Sequence, residues 1–412
     1  MNLFDRGKNV NQNIVEAVAA CRDALSEPEW SSLSRCLPDA PGNAEGWFEL
    51  LSGFPDRPAN VAAFNRMREA VDAIAAVDRR PEFERYAVLQ SFTMALPRVS
   101  ALPVALSVKR EFAETAFRAA RPNGQWRRNF AAARPPFMVP MARLATLREF
   151  PAGELSFNFH GRMSIAWPMR FPPLAVPGFF YEMMFGMKGW GPFISPHINR
   201  WRPNPLILHR EEAERSLWRM AKTLEQRPDV KFLMSDSWLN SAETARTSPH
   251  LAWMRAFFTE GGAYVVDMEA ADKDSGFRDD NKRRNALYAA GCFHPRRTLA
   301  LWARDDMLAW AALRLDLIDE DESACAARAR RPRRFRVGSP KPARAAKHNS
   351  IFHLWNGMGL LSQNPIKYAL LILIAPAVIA GIAASFIAWW CGPPVFLAAF
   401  IFAWVFQYYA FQ

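Results

Sequence analysis

Residues 210–234 read REEAERSLWRMAKTLEQRPDVKFLM, the pattern of a helix followed by a strand. Ala213, Leu217, Met220, Ala221 and Leu224 fall on one stripe at helical spacing, which predicts an amphipathic helix over Arg210–Gln226. Val230-Lys231-Phe232-Leu233-Met234 is then a short strand running into Ser235-Asp236-Ser237-Trp238-Leu239. Further on, Ser248-Pro249 pairs a cap with Pro at the first helical position and opens a helix into His250–Phe258. Ala263–Met268 is the next strand. Upstream, beyond Arg134-Pro135-Pro136, the runs Phe137–Phe150, Leu155–His160 and Ser164–Trp167 are rich in aromatic and branched residues with partial alternation, as adjacent strands are. Strand, helix, strand, helix, strand behind a set of antiparallel strands predicts an α+β, mixed α/β fold.

The first ~130 residues read instead as helical. Ile14, Val18, Cys21 and Leu25 share one stripe, and Val61, Phe64, Val71 and Ile74 share another. Breaks at Pro38–Gly42, Gly53–Pro58 and Pro122–Gly124 separate the pieces. The expected organisation is a helical region over 1–134, an α/β domain over 135–325, a basic linker over 326–365 and two apolar spans over 366–412.

Those spans come from the last 45 residues, Tyr368–Gln412, which hold no Lys, Arg, Asp, Glu or His. A bilayer crossing takes about 20 apolar residues, so this run suffices for two. Gly392-Pro393-Pro394 divides it into a hairpin of transmembrane helices, with Trp389, Trp390, Tyr368, Tyr408 and Tyr409 at the two interfaces. Nine Lys/Arg and no acid lie between Arg328 and Lys347, which places both termini on the cytoplasmic side of an inner membrane and tethers the chain to anionic lipid. These nine account for most of the net charge of +12. Nucleic acid is therefore not an expected partner, because no folded basic face interleaved with aromatics remains. The charged start, Met1–Lys8, has no apolar core of a signal peptide. Five scattered cysteines without C-x-x-C spacing fit a reducing compartment and give no zinc site, so no metal is expected.

Two local patterns carry a resemblance. Pro196-His197-Ile198-Asn199-Arg200-Trp201 precedes the Arg210 helix, and Ser237-Trp238-Leu239 ends a strand ahead of Ser248-Pro249-His250-Leu251-Ala252-Trp253-Met254-Arg255. In order and spacing, residues 137–268 resemble the GNAT-like acyltransferase C-terminal domain of bacterial proteins. The resemblance implies an acetyltransferase-like sheet in which a central strand leads into a helix whose N-terminal amides hold the donor's pyrophosphate. That helix would be Arg210–Gln226, with Arg200, Arg202 and Arg210 as its phosphate-binding cations. The family's Q/R-x-x-G-x-G/A signature is absent ahead of it, and Glu211 and Glu212 occupy its first turn. The implied co-substrate is acyl-coenzyme A or an acyl carrier protein, with no permanently bound cofactor.

Acyl transfer needs a base, an oxyanion donor and a proton for the leaving thiolate. His197, read as a loop residue beside Asn199, is the candidate base, and an ordinary imidazole pKa suits it. A loop-fixing hydrogen-bonded histidine is the other reading. Ser237 is the candidate to donate to the thiolate or to orient the acceptor; a cap or turn residue is the other reading. His160 reads as a turn residue, Asp267 and Glu269 as a solvated pair or an acid/base pair, and Cys292 beside His294 as structural or nucleophilic. The Met- and Phe-rich stretch 172–187 reads as core packing or as a lipid groove. No G-x-S-x-G elbow, P-loop or H-E-x-x-H motif occurs. The expectation is a membrane-anchored acyltransferase acting on a lipid or lipid-linked acceptor; the alternative is a non-catalytic membrane-tethered scaffold.

Overall fold

The computed structural model describes residues 9–26, 37, 40–74, 80–121, 138–164, 166–199, 209–271 and 282–317. They belong to two units: one holds the described residues up to 164 and from 181, the other holds 166–180. In the second, two 3-10 turns, Trp167–Arg170 and Pro173–Ala175, lead into a helix, the Phe171 and Phe179 rings lie 4.7 Å apart, and the Arg170 guanidinium covers Trp167.

The first unit opens with five helices, α1 (Val10–Leu25), α2 (Ala44–Gly53), α3 (Pro58–Ile74), α4 (Arg80–Val99) and α5 (Leu106–Ala120). Asn9 caps α1 in a reciprocal capping box with Gln12, and Pro58 stands at the first position of α3, where its missing N–H costs nothing. Of the expected stripes, Ile14, Cys21, Phe64 and Val71 are buried, and Val18, Leu25 and Val61 are half-buried. Burial pushes the Cys21 thiol up to about 12, against the opposing pull of Arg85, so it is an inert packing group.

Next come α6 (Met138–Ala145), β1 (Phe150–Pro151), β2 (Leu155–His160), α7 (Val176–Tyr181, whose last residue enters the first unit), β3 (Phe193–Ile198), α8 (Arg210–Gln226) and β4 (Phe232–Asp236). They are followed by α9 (Ala242–Thr247), α10 (Ala252–Glu260), β5 (Tyr264–Ala270), α11 (Lys282–Ala289), β6 (Arg296–Ala303) and α12 (Arg304–Leu313). The six strands form one mixed sheet in the order β1-β2-β3-β4-β6-β5, antiparallel except for β3 with β4. One face carries Phe157, Ile194, Leu233, Ala300 and Trp302 into the same buried cluster as α8, α10, α12 and helices α1–α5. The fold is thus mixed α/β.

Several expectations are corrected. The run 137–150, expected as a strand, contains α6, because Met138, Met141, Ala142 and Ala145 bury at helical spacing. Ser164–Trp167 forms no strand; its described residues are bends and the start of a 3-10 turn. Ser248 makes no side-chain cap, and Pro249 opens a 3-10 turn ahead of α10. His197 lies in strand β3 rather than in a loop. Two strands went unread: β3, punctuated by Pro192 and Pro196, and β6, which begins with two arginines and inserts between β4 and β5. The expected boundaries at 134/135, 325/326 and 365/366, the basic segment and the C-terminal spans lie outside the described residues. Among the described residues, no helix is long and apolar enough to cross a membrane.

Candidate active site at a parting of two strands

β3 and β4 run parallel but pair at two positions only, Phe193 with Phe232 and Ile194 with Leu233. Beyond these the strands part, while β3 stays paired to β2 along its whole length and β4 to β6 along its own. The base of the opening is closed by Phe193 stacked on Phe232, centroids 5.3 Å apart and planes at 7°. Ile194 and Leu233 are fully buried beneath it.

Pro196 explains where pairing stops. The Lys231 N–H donates to Pro192 O at 2.8 Å, toward β4, whereas the Asn199 N–H donates to Glu154 O at 2.9 Å, toward β2. Backbone groups alternate along a strand, so those of Ile194, Pro196 and Ile198 face β4. At Pro196 there is no N–H to offer a ladder, and a sheet position with one side unpaired is where proline is tolerated. The Pro196 carbonyl and the Ile198 N–H and C=O therefore look into the opening, and among the described residues no strand is paired to them.

The turn between β1 and β2 fixes both the end of β3 and the start of α8. Gly153 has φ +106°, and a Cβ there would sit 2.8 Å from Arg219 Nη1 and 3.0 Å from Ser216 Oγ, so only glycine lets the turn lie against the helix. Asn199 Nδ2 donates to Gly153 O at 2.7 Å, Arg219 Nη1 to Ala152 O at 3.1 Å, and the His209 N–H to Glu154 Oε2 at 2.7 Å. A buried carboxylate thus already stands at the helix opening, with Glu211 and Glu212 in its first turn.

His197, exposed near the end of β3, has Nε2 at 2.8 Å from Asn158 Oδ1 on β2. An amide oxygen only accepts, so Nε2 is the donor in this contact. Ser237 follows β4; its N–H donates to Thr298 O at 3.0 Å and its Oγ accepts from the Leu239 N–H at 3.2 Å, capping a 3-10 turn. Continuing the register of the two paired positions sets His197 across from Asp236 and Ile198 across from Ser237. His197 and Ser237 therefore stand on the two walls of one opening, but by alternation they project to opposite faces of the sheet. Arg210, half exposed, donates from Nε to Glu214 Oε1 at 2.8 Å, and its pKa is raised chiefly by that hydrogen bond. Arg314 Nη2 reaches Glu214 Oε2 at 2.5 Å. Burial raises the Glu214 carboxyl, yet the two guanidiniums outweigh it and hold the pKa below the ordinary value. Arg200 and Arg202 lie outside the described residues.

The other titratable groups serve structure. His160, exposed at the end of β2, stacks on Phe193 at 4.8 Å, and desolvation, with Arg143 adding to it, lowers its pKa. Asp267 Oδ1 accepts from Thr298 Oγ1 at 2.7 Å and from Arg255 Nη1 at 3.1 Å, which fixes it as an ion-paired strand residue. Asp236 is bonded to Arg297, whose Nη1 is 3.7 Å from Glu269. Cys292 Sγ donates to Ala290 O at 3.6 Å and His294 Nε2 to Gly291 O at 2.8 Å; each turns to its own backbone, so no thiol–imidazole pair forms. Sequence reading missed Asn158, the partner of His197, since only pairing of β2 with β3 brings residues 39 apart together. It also missed Asn240, 1% exposed, which donates from Nδ2 to Ser235 Oγ at 3.0 Å on the β4 wall and whose Oδ1 meets no donor among the described residues.

No protein-family model matches the chain, and no curated protein matches it. Among solved structures it is distantly similar to an acyltransferase variant in complex with octanoyl-CoA, at 12% identity and TM-score 0.36 over 72% of this chain and 99% of that one. An acyltransferase in complex with decanoyl-CoA and teicoplanin gives 14% identity and TM-score 0.36 over 72% and 99%. One in complex with CoA and 10C-teicoplanin gives 13% and 0.37 over 69% and 99%. Scores of this size do not identify the chain.

Proposed function

We propose that the chain is a membrane-anchored acyltransferase that moves an acyl group from a thioester donor to an amine or hydroxyl of a lipid or lipid-linked acceptor. The observation that supports this reading most is the opening between β3 and β4. An amide-bearing arm, such as the phosphopantetheine of coenzyme A or of an acyl carrier protein, would add to β3 as an extra strand, bonding the Pro196 carbonyl and the Ile198 backbone. In the transfer step the acceptor's oxygen or nitrogen attacks the thioester carbonyl. Its proton passes to Nδ1 of His197, held by Asn158, and the carbon–sulfur bond breaks. The leaving thiolate is stabilised by a hydrogen bond from the Ser237 hydroxyl on the other wall and takes its proton from solvent, while His197 returns the acceptor's proton to solvent. Opposite faces for His197 and Ser237 suit this division, because acceptor and thioester then approach from different sides. Glu154, Glu211 and Glu212 at the α8 opening disfavour a bare phosphate there, so Arg200, Arg202 and Arg210 must offset them if the donor is coenzyme A. Anchoring rests on the uncharged run 368–412 and the cations of 328–347.

The test is titration of the full chain with acyl-coenzyme A and with acyl carrier protein, followed by turnover on membrane extract. The reading expects one donor to bind and His197→Ala to lower turnover by about 10²–10⁴ with donor affinity kept. If neither donor binds the folded wild type, the scaffold alternative replaces it.

A further inference from the structure

Residues 181–187 carry two apolar faces. Met183 and Met187 are buried, at 0% and 3% exposure, whereas Tyr181, Met184 and Phe185 on the other side are 46%, 64% and 64% exposed. The rings of Tyr181 and Phe185 lie 4.9 Å apart, so the three side chains make one outward ridge, and Glu182 is the only charged residue from Tyr181 to Met187. A surface helix normally turns polar residues outward, and an exposed apolar ridge marks a contact surface. Its surroundings narrow the partner. Lys188 follows the ridge directly, with Nζ 2.6 Å from Asp305 Oδ2; Lys231 Nζ donates to Lys188 O at 2.6 Å, and the Arg304 N–H donates to Lys231 O at 2.9 Å. Aromatics and methionine rimmed by lysines are the composition of a bilayer interface, where rings sit among acyl chains and ammonium groups reach the headgroups. Asp305 also opens α12, the last described helix, and the chain continues from there to the uncharged run that ends it.

We infer that the Tyr181–Met184–Phe185 ridge inserts into the interface of a phospholipid bilayer, with Lys188 and Lys231 at headgroup level. The inference rests on the membrane attachment proposed above and adds to it a second, peripheral contact that sets how the folded part faces the lipid.

Photocrosslinking of the full chain in vesicles of phosphatidylcholine and phosphatidylserine tests it. Benzoylphenylalanine is placed at position 185, and in a control protein at position 15, where Val15 on α1 is 67% exposed. Irradiation and mass spectrometry should find phospholipid adducts at 185 about tenfold above those at 15. A crosslink from 185 to residues 368–412 or to a second copy, or labelling equal at the two positions, overturns the inference. An alkaline carbonate wash separates the two readings: a chain stripped from the vesicles defeats membrane anchoring itself, whereas a retained chain without lipid adducts at 185 defeats the ridge contact alone.

Discussion

The two halves of the β3–β4 seam are built from different chemistry. At the base, Phe193 stacks on Phe232 and Ile194 and Leu233 are fully buried, so pairing and packing reinforce each other. At the mouth, Ser195, His197, Ser235, Asp236 and Ser237 stand beside Met234 and Ile198, Pro196 withdraws an N–H, and pairing ends. The base thus carries stability and leaves the mouth with polar and unpaired groups, which is how a rigid element comes to hold an opening.

Substitutions that treat the halves alike would break this contrast. Phe232→Ala should cost about 3–5 kcal/mol, the usual loss for a buried aromatic, read as a lower denaturant midpoint. A loss like that of an exposed residue would mean that the base is not the anchor. Acid should act next, through the helix that borders the mouth. Glu214 has a depressed pKa, so its contribution is complete above the ordinary carboxylate value and disappears as pH falls through the depressed one. The stability gap between wild type and Glu214→Gln should therefore shrink on acidification, and a gap constant with pH would show that the Arg210 and Arg314 contacts do not set it. Ser237→Ala should cost about 1 kcal/mol, the value of a lost cap, in thermal melts. Pro196→Ala should change stability by less than about 0.5 kcal/mol, because no ladder bond is made there, whereas Ile194→Pro at the paired position should cost about 3 kcal/mol or more. Similar values for those two would erase the difference between base and mouth.

How much of this was legible follows from range. The helix Arg210–Gln226 and the strand Leu155–His160 were readable to the residue, since their stripe and composition are local. The stretch around His197 was misread as a loop because Pro192 and Pro196 look like breaks; only the neighbouring strands reveal that Pro196 faces an unpaired side. α6 was misread because an eight-residue apolar run with Pro140 in its first turn fits either period. His197 was found by residue type, but its orientation comes from Asn158 on another strand, and the carboxylate at the α8 opening comes from Glu154, 55 residues away from His209. Long-range pairing has no local signature.

The strand order has a consequence in time. Among the described residues β6 is the last strand made, yet it is an inner one, and β5 pairs only with it. While the ribosome is still short of residue 303, β4 and β5 each present an open edge, and such edges invite pairing with other chains. Closure of the sheet must therefore wait for a segment that emerges only 65 residues ahead of the uncharged run at Tyr368. The folded part and the apolar end thus leave synthesis in close succession, and delay in seating β6 would expose both hazards together.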